Sequence, residues 1–139
     1  KLAVARVENC LQKGINFSQE TTLSGRRTIR TIQQAREKNY HIRLYYVGVS
    51  GAEESLFRIA NRVRKGGHNI PKQDVLRRYK KRFTDLAEVL PYCDEVHFYD
   101  NENGFREVAL YQNGEIMPLV TPLPQWLRDF MAWKDNEQA

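Results

Sequence analysis

Glu20, Thr21, Thr22, Ser24 and Arg26 put a carboxylate, three hydroxyls and a guanidinium into one short run of sequence. Such a set can hold a hydroxylated substrate beside a phosphate, because the carboxylate accepts from hydroxyls and the guanidinium forks onto phosphate oxygens. The plainer alternative is that Ser24 caps the helix that follows and Glu20 is simply solvated. Residue types alone leave both open. A second concentration of charge lies further on, where ten Lys and Arg residues between Arg58 and Arg82 face one acid, Asp74. The rest of the chain is mildly acidic, so the net charge of +5 is a local excess, which implies a focused anion site more than a general polyanion surface. Within that stretch Arg62, Arg64, Gly66, Gly67, His68, Arg77 and Arg78 read as a basic helix end, a glycine loop and a basic helix start. A glycine loop can close over a ligand while arginines on its flanks neutralise phosphate charge, which describes a phosphate-binding lid. The competing reading is a solvated basic helical face, against which stands the lack of acidic partners at helical spacing. An RNA-binding patch is the third reading, but Tyr79 and Phe83 fall on an apolar stripe where they cannot stack on bases.

The elements that must position these groups follow from periodicity. Leu2 to Leu11 predicts a helix stopped by Gly14, and Ile15-Asn16-Phe17 a short strand. A helix from about Arg26 to Asn39 carries Ile29, Ile32 and Ala35 on one stripe. The run from His41 to Val47 contains Ile42, Leu44, Tyr45, Tyr46 and Val47, too continuous and β-prone for a half-exposed edge, which predicts a central strand covered on both faces and a parallel β-α-β unit. Ser50 to Glu53 has the capping-box pattern and opens a helix through Leu56, Ile59, Ala60 and Val63. From Lys72, a second long helix has Val75, Tyr79, Phe83, Leu86 and Leu90 on its apolar stripe and Arg77, Arg78, Lys81 and Arg82 on its polar face. Val96 to Tyr99 predicts another strand, and Val108 to Tyr111 with Ile116 to Val120 a hairpin about Asn113-Gly114, its second arm confined to an edge by Pro118. A last helix carries Trp126, Leu127, Phe130 and Met131 on one face. In open α/β sheets ligands bind beyond the carboxyl ends of parallel strands, which selects Glu20 to Arg26, Gly48 to Ser50, and Asp100 to Asn103.

Composition narrows the function classes. At 139 residues and 41% hydrophobic, the chain can bury one sizeable core, and no run approaches the roughly 20 apolar residues that cross a membrane. Cys10 and Cys93 lack zinc spacing and read as free thiols, so a soluble, cytoplasmic protein is expected. His41, His68 and His97 are too scattered for a metal site, and Trp126, Trp133 and Phe130 read as packing residues.

Taken together, the run Phe17 to Arg26, the run Arg62 to Pro71 and the triplet Arg77-Arg78-Tyr79 resemble zeta-toxin-like P-loop kinases over roughly residues 1 to 115. The resemblance implies an ATP-dependent phosphotransferase using Mg2+, with a small hydroxylated acceptor; the toxin members phosphorylate UDP-N-acetylglucosamine. It implies that Glu20 and Thr22, with Arg26 beside them, bind substrate and that Arg62 is a lid arginine approaching the ATP phosphates. His68 lies near the family's second lid arginine, with Arg64, Arg77 or Arg78 able to substitute. The chain departs from the family in two ways: Gly-x-x-x-x-Gly-Lys-Ser/Thr occurs nowhere in it, and neither does the acidic strand end that supplies the catalytic base. Both are expected upstream of Lys1, so no catalytic residue is assigned here and the chain by itself is expected to be inactive.

The fold class expected is α/β, part of a P-loop kinase fold, with a parallel sheet flanked by helices, a helical lid and a C-terminal β-hairpin. Residues 1–120 would be the C-terminal portion of the kinase domain, with the lid at about 58–82, and 121–139 a helical extension. A missing first strand would leave a sticky sheet edge, so self-association joins an antitoxin among the expected partners; a membrane does not, and nucleic acid is disfavoured. The alternative is a non-catalytic phosphate- or RNA-binding module that keeps the lid without the loop.

Overall fold

A computed structural model describes residues 2–48, 72–101 and 104–138. Helices α1 (Leu2–Lys13) and α2 (Arg26–Glu37) precede strand β1 (Arg43–Val47). Helix α3 (Lys72–Val89) runs into a 3-10 turn (Leu90–Tyr92) and strand β2 (Glu95–Asp100); the hairpin β3 (Arg106–Gln112) and β4 (Glu115–Pro118) follows, then helix α4 (Gln125–Gln138). The four strands form one mixed sheet in the order β1-β2-β3-β4, with β1 parallel to β2 and the other pairs antiparallel. The expected mixed α/β class, with a sheet flanked by helices and a hairpin near the end of the chain, is what forms.

Local chemistry explains the element ends. Gly14 adopts φ 68°, the left-handed turn that stops α1, and Ile15 N–H donates to the Cys10 carbonyl at 3.0 Å. Asn113 and Gly114 both have positive φ, 55° and 82°, which matches the right-handed twist of the hairpin arms. Pro118, unable to donate to a ladder, sits on β4 at the outside of the sheet.

Two expectations are corrected. Ile15-Asn16-Phe17 is not a strand among the described residues. The Tyr40 hydroxyl holds this segment instead, bonding the carbonyls of Cys10 (2.8 Å) and Ile15 (2.9 Å), with Phe17 edge-on to the Tyr40 ring. A β-prone tripeptide with no ladder beside it has nothing to satisfy its backbone as a strand. The parallel pair is therefore β1 with β2, and among the described residues β1 stands at the end of the strand order and is not covered on both faces. Its burial alternates, with Leu44 and Tyr46 half-buried and Arg43, Tyr45 and Val47 exposed. The predicted helix from Ser50 and the loop at Gly66 lie outside the described residues.

The core lies on one side of the sheet. Val96 and Phe98 of β2 and Ala109 and Tyr111 of β3 meet Tyr79, Phe83, Leu86 and Val89 of α3 and Trp126, Leu127 and Phe130 of α4. Phe98 and Phe130 are fully buried, each contributing roughly 1.5–3 kcal/mol relative to exposure. The final helix thus shares its core with the strands.

Candidate substrate- and phosphate-binding site

A helix that precedes a parallel strand runs antiparallel to it, so the start of α2 lies toward the carboxyl end of β1, where α/β folds bind ligands. Residues Glu20 to Arg26 form that start. Thr21 Oγ1 accepts the Leu23 N–H at 3.1 Å and lies 2.8 Å from Thr28 Oγ1, tying the turn to the first coil of α2. Leu23 takes φ 62° with its side chain buried, and Gly25 takes φ 81° as the residue before the helix. A buried leucine pulled inward at a left-handed position throws its neighbours outward. Glu20, Thr22, Ser24 and Arg26 are all exposed.

The plainer alternative for Ser24 does not hold, since Gly25 occupies the cap position of α2 and no side chain caps it. Ser24 Oγ instead pairs with Thr22 Oγ1 at 2.6 Å. Two linked hydroxyls beside an exposed carboxylate can exchange one another's proton for a bond to a bound hydroxyl or phosphate. Arg26 is engaged from the other side: its guanidinium donates to Glu88 Oε2 near the end of α3 at 2.7 Å. Leu23, Gly25, Arg26 and Ile29 with Asp85, Glu88 and Val89 enclose only about 10 Å³, so the loop is packed down on α3.

Of the lid residues, Arg62, Arg64 and His68 lie outside the described residues. Arg77 and Arg78 are exposed on the first half of α3. Arg78 stands ten residues before Glu88, roughly 15 Å along the helix axis, and no hydrogen bond among the described residues joins the two groups. The lack of acidic partners is corrected, because Arg77 pairs with Asp74 at 2.9 Å and Lys81 with Asp85 at 3.0 Å, at i,i+3 and i,i+4 spacing. Such exposed helical pairs are worth a few tenths of a kcal/mol and open readily to an anion.

At the carboxyl ends of the two parallel strands sits a group that sequence reasoning treated as packing. Gly48 N–H donates to the Tyr99 carbonyl at 2.9 Å, and a Cβ on Gly48 would fall 2.0 Å from the Trp126 indole. Trp126 Nε1 donates to Asp100 Oδ1 at 3.0 Å, and Asp100 is 2% exposed. One side chain of α4 therefore fixes the exits of β1 and β2 together. The only sequence signal for it was that a buried indole N–H needs an acceptor.

Elsewhere, His97 is clamped between Glu95 (Nε2 to Oε1, 2.8 Å) and Glu107 (Nδ1 to Oε2, 2.7 Å), under a stacked Tyr45 ring. The hydrogen bond to Glu95 is the largest influence and raises the imidazole pKa; burial opposes it, and the bond to Glu107 adds to the rise. The bond from His97 likewise lowers the Glu95 pKa. Asp94 is lowered chiefly by the Ile42 N–H, which donates to it at 2.7 Å, with Arg36 assisting. Burial raises the Tyr79 hydroxyl, which donates to Asp129 at 2.7 Å. These are fastenings of strand to strand and helix to helix, not poised acids or bases.

The model of the family described as Zeta toxin matches residues 1–115. An uncharacterized protein of Haemophilus influenzae is 35% identical over 77 residues, which is 55% of this chain and 55% of the relative. The chain thus spans about half the length of that curated relative. No solved structure matches.

Proposed function

Since the chain belongs to the zeta toxin family, we propose that it carries the acceptor-binding and lid portion of a kinase that moves the γ-phosphate of ATP to a hydroxyl of a small acceptor. The observation that carries this reading is the Glu20 to Arg26 loop, with Glu20 and Thr22 exposed at the start of α2 and Leu23 anchoring the turn from beneath. Glu20 would accept a hydrogen bond from the acceptor's hydroxyl, Thr22 would donate to or accept from a neighbouring polar group, and Arg26 would leave Glu88 to meet phosphate. Arg62, Arg64, His68, Arg77 and Arg78 would offset the charge that spreads over the transferred phosphoryl group.

ATP and Mg2+ fit this chain only in part. Arginines on a lid suit phosphate oxygens, but no Gly-x-x-x-x-Gly-Lys-Ser/Thr run is present to supply backbone amides, lysine and a metal-binding hydroxyl. The chain alone is therefore proposed to be inactive. A nucleotide sugar such as UDP-N-acetylglucosamine is the acceptor in keeping with the family, the cytoplasm is the compartment, and an antitoxin is a partner. Among the described residues no helix is long and apolar enough to cross a membrane.

The test is phosphoryl transfer from labelled ATP to a panel of hydroxylated metabolites, by the chain alone and by the chain joined to whatever its reading frame encodes ahead of Lys1. Label should appear in one acceptor with the joined protein only, and Glu20→Gln should remove at least 90% of it. Salt-sensitive polyanion binding with no transfer in either form would favour the alternative binding module. The observation on the side of that alternative is that Tyr45 and Phe105 stand exposed on the sheet, where a base could stack.

A further inference from the structure

Helix α3 precedes the parallel strand β2, so like α2 it starts toward the carboxyl ends of the strands, and its first half carries the exposed Arg77 and Arg78 there. Successive residues of a helix point about 100° apart, so whatever fixes the direction of Tyr79 also fixes where these two arginines point. Tyr79 is buried, its ring edge-on to Phe83 at 5.0 Å, and its hydroxyl donates to Asp129 Oδ2 of α4 at 2.7 Å. Asp129 is itself held, since its Oδ1 accepts from Gln125 Nε2 at 2.7 Å. Between Gln125 and Asp129 stands Trp126, bonded to Asp100 and packed on Tyr46 and Phe98, which anchors this end of α4 to both parallel strands. Beyond Tyr79, α3 meets α4 through Phe83 against Phe130 and Trp133, apolar contacts that tolerate a small turn of the helix. The other end of α3 is tied to α2 by the Arg26 to Glu88 bridge. Once Arg26 leaves Glu88 for a phosphate, Tyr79 to Asp129 is the one hydrogen bond among the described residues that joins α3 to another helix.

We infer that Tyr79 and Asp129 are positioning residues for phosphate binding, Asp129 acting through the Tyr79 hydroxyl to set the direction of Arg77 and Arg78. The inference rests on the reading of those arginines as phosphate-binding, and not on phosphoryl transfer. It gives α4, which lies beyond the span matched by the family, a part in binding as well as in the core. The pair of Arg77 with Asp74 is exposed and opens readily, but both guanidiniums meet one anion only when the helix presents them together. A helix free to turn adds its own ordering cost to that of two long side chains, which lowers affinity. Simple electrostatics predicts the opposite sign, because removing the Asp129 carboxylate takes a negative charge away from an anion site.

The test is calorimetric titration of inorganic tripolyphosphate into the 139-residue chain at low salt, with the folding of each variant checked by circular dichroism. Arg78→Ala should weaken binding, which shows that the anion is held at this helix. Tyr79→Phe keeps the ring and removes the hydroxyl, and should raise Kd roughly three- to tenfold. Asp129→Ala should do the same, and the double variant should be no worse than either alone. Asp129→Asn keeps an acceptor for Tyr79 and should bind at least as tightly as the native chain. Leu127→Val trims α4 at a fully buried position and should lower the melting temperature without changing Kd. An unchanged Kd in Tyr79→Phe, tighter binding by both Asp129 variants, or an equal loss of affinity in Leu127→Val would overturn this inference and leave the arginine assignment standing. No binding by the native chain, or native affinity in Arg78→Ala, would overturn both.

Discussion

Asp100 and Trp126 have been brought together from 26 residues apart, and the carboxylate has its indole donor in a place with almost no water. Replacing Trp126 by Phe keeps most of the packing against Tyr46 and Phe98 but removes the N–H, leaving a buried carboxylate short of a donor. The expected cost is about 1–3 kcal/mol, read as a lower urea midpoint at unchanged slope. Gly48→Ala should cost a similar 1–3 kcal/mol for the opposite reason, an added carbon with no room beside the indole. His97 gives a pH signature. Its folded pKa lies above the ordinary 6.5, so its stabilisation is complete below that value and is lost as pH rises through the folded one. Glu95, lowered from 4.5, acts in reverse, contributing above 4.5 and failing as pH falls through its folded value. Tyr45 and Arg43 of β1, Tyr99 beside it on β2 and Glu107 of β3 complete the surroundings of the ring. The advantage of the native chain over His97→Gln in urea should therefore be greatest between pH 4.5 and 6.5 and shrink at higher pH, as the folded imidazole gives up its proton. Cys93, whose thiol burial pushes up to about 11, should resist a thiol reagent that labels Cys10.

The elements show what a single sequence discloses and what it hides. The stripe of α3 was legible because Tyr79, Phe83 and Leu86 recur at helical spacing, and all three are buried, with buried Leu90 just beyond in the 3-10 turn. The hairpin was legible because Asn113-Gly114 encodes its turn directly. The place of β1 was not, because a short β-prone run such as Leu44 to Val47 reads alike whether the strand is inside a sheet or at its rim. Nor was the fate of Ile15 to Phe17, since a strand needs a neighbour and propensity does not supply one. In the candidate site, Glu20 and Thr22 are exposed, which suits a binding role and plain solvation alike, while the Arg26 to Glu88 bridge spans 62 residues and had no local signal. That bridge belongs to the packing of α2 on α3, and its strength should be small. A double-mutant cycle of Arg26→Ala and Glu88→Ala should give a coupling of roughly 0.2–1 kcal/mol that fades in high salt.

At the scale of the whole molecule, helices α2, α3 and α4 pack on one face of the sheet, and among the described residues no helix covers the other, where Tyr45, Val47 and Met117 are exposed. Tyr99 and Phe105 stack with ring centroids 4.8 Å apart, sharing between themselves some of the area a covering layer would have taken. The core on the other face ties the last helix to the first parallel strand through the indole of Trp126. The span matched by the family and the span that closes this core therefore differ in length. The family resemblance ends at residue 115, and a gene trimmed there would translate every residue of the candidate site yet none of the stopper that seals Phe98, Asp100 and Gly48 from water. Such a shortened chain should bind a hydrophobic dye more strongly than the 139-residue chain and melt less cooperatively.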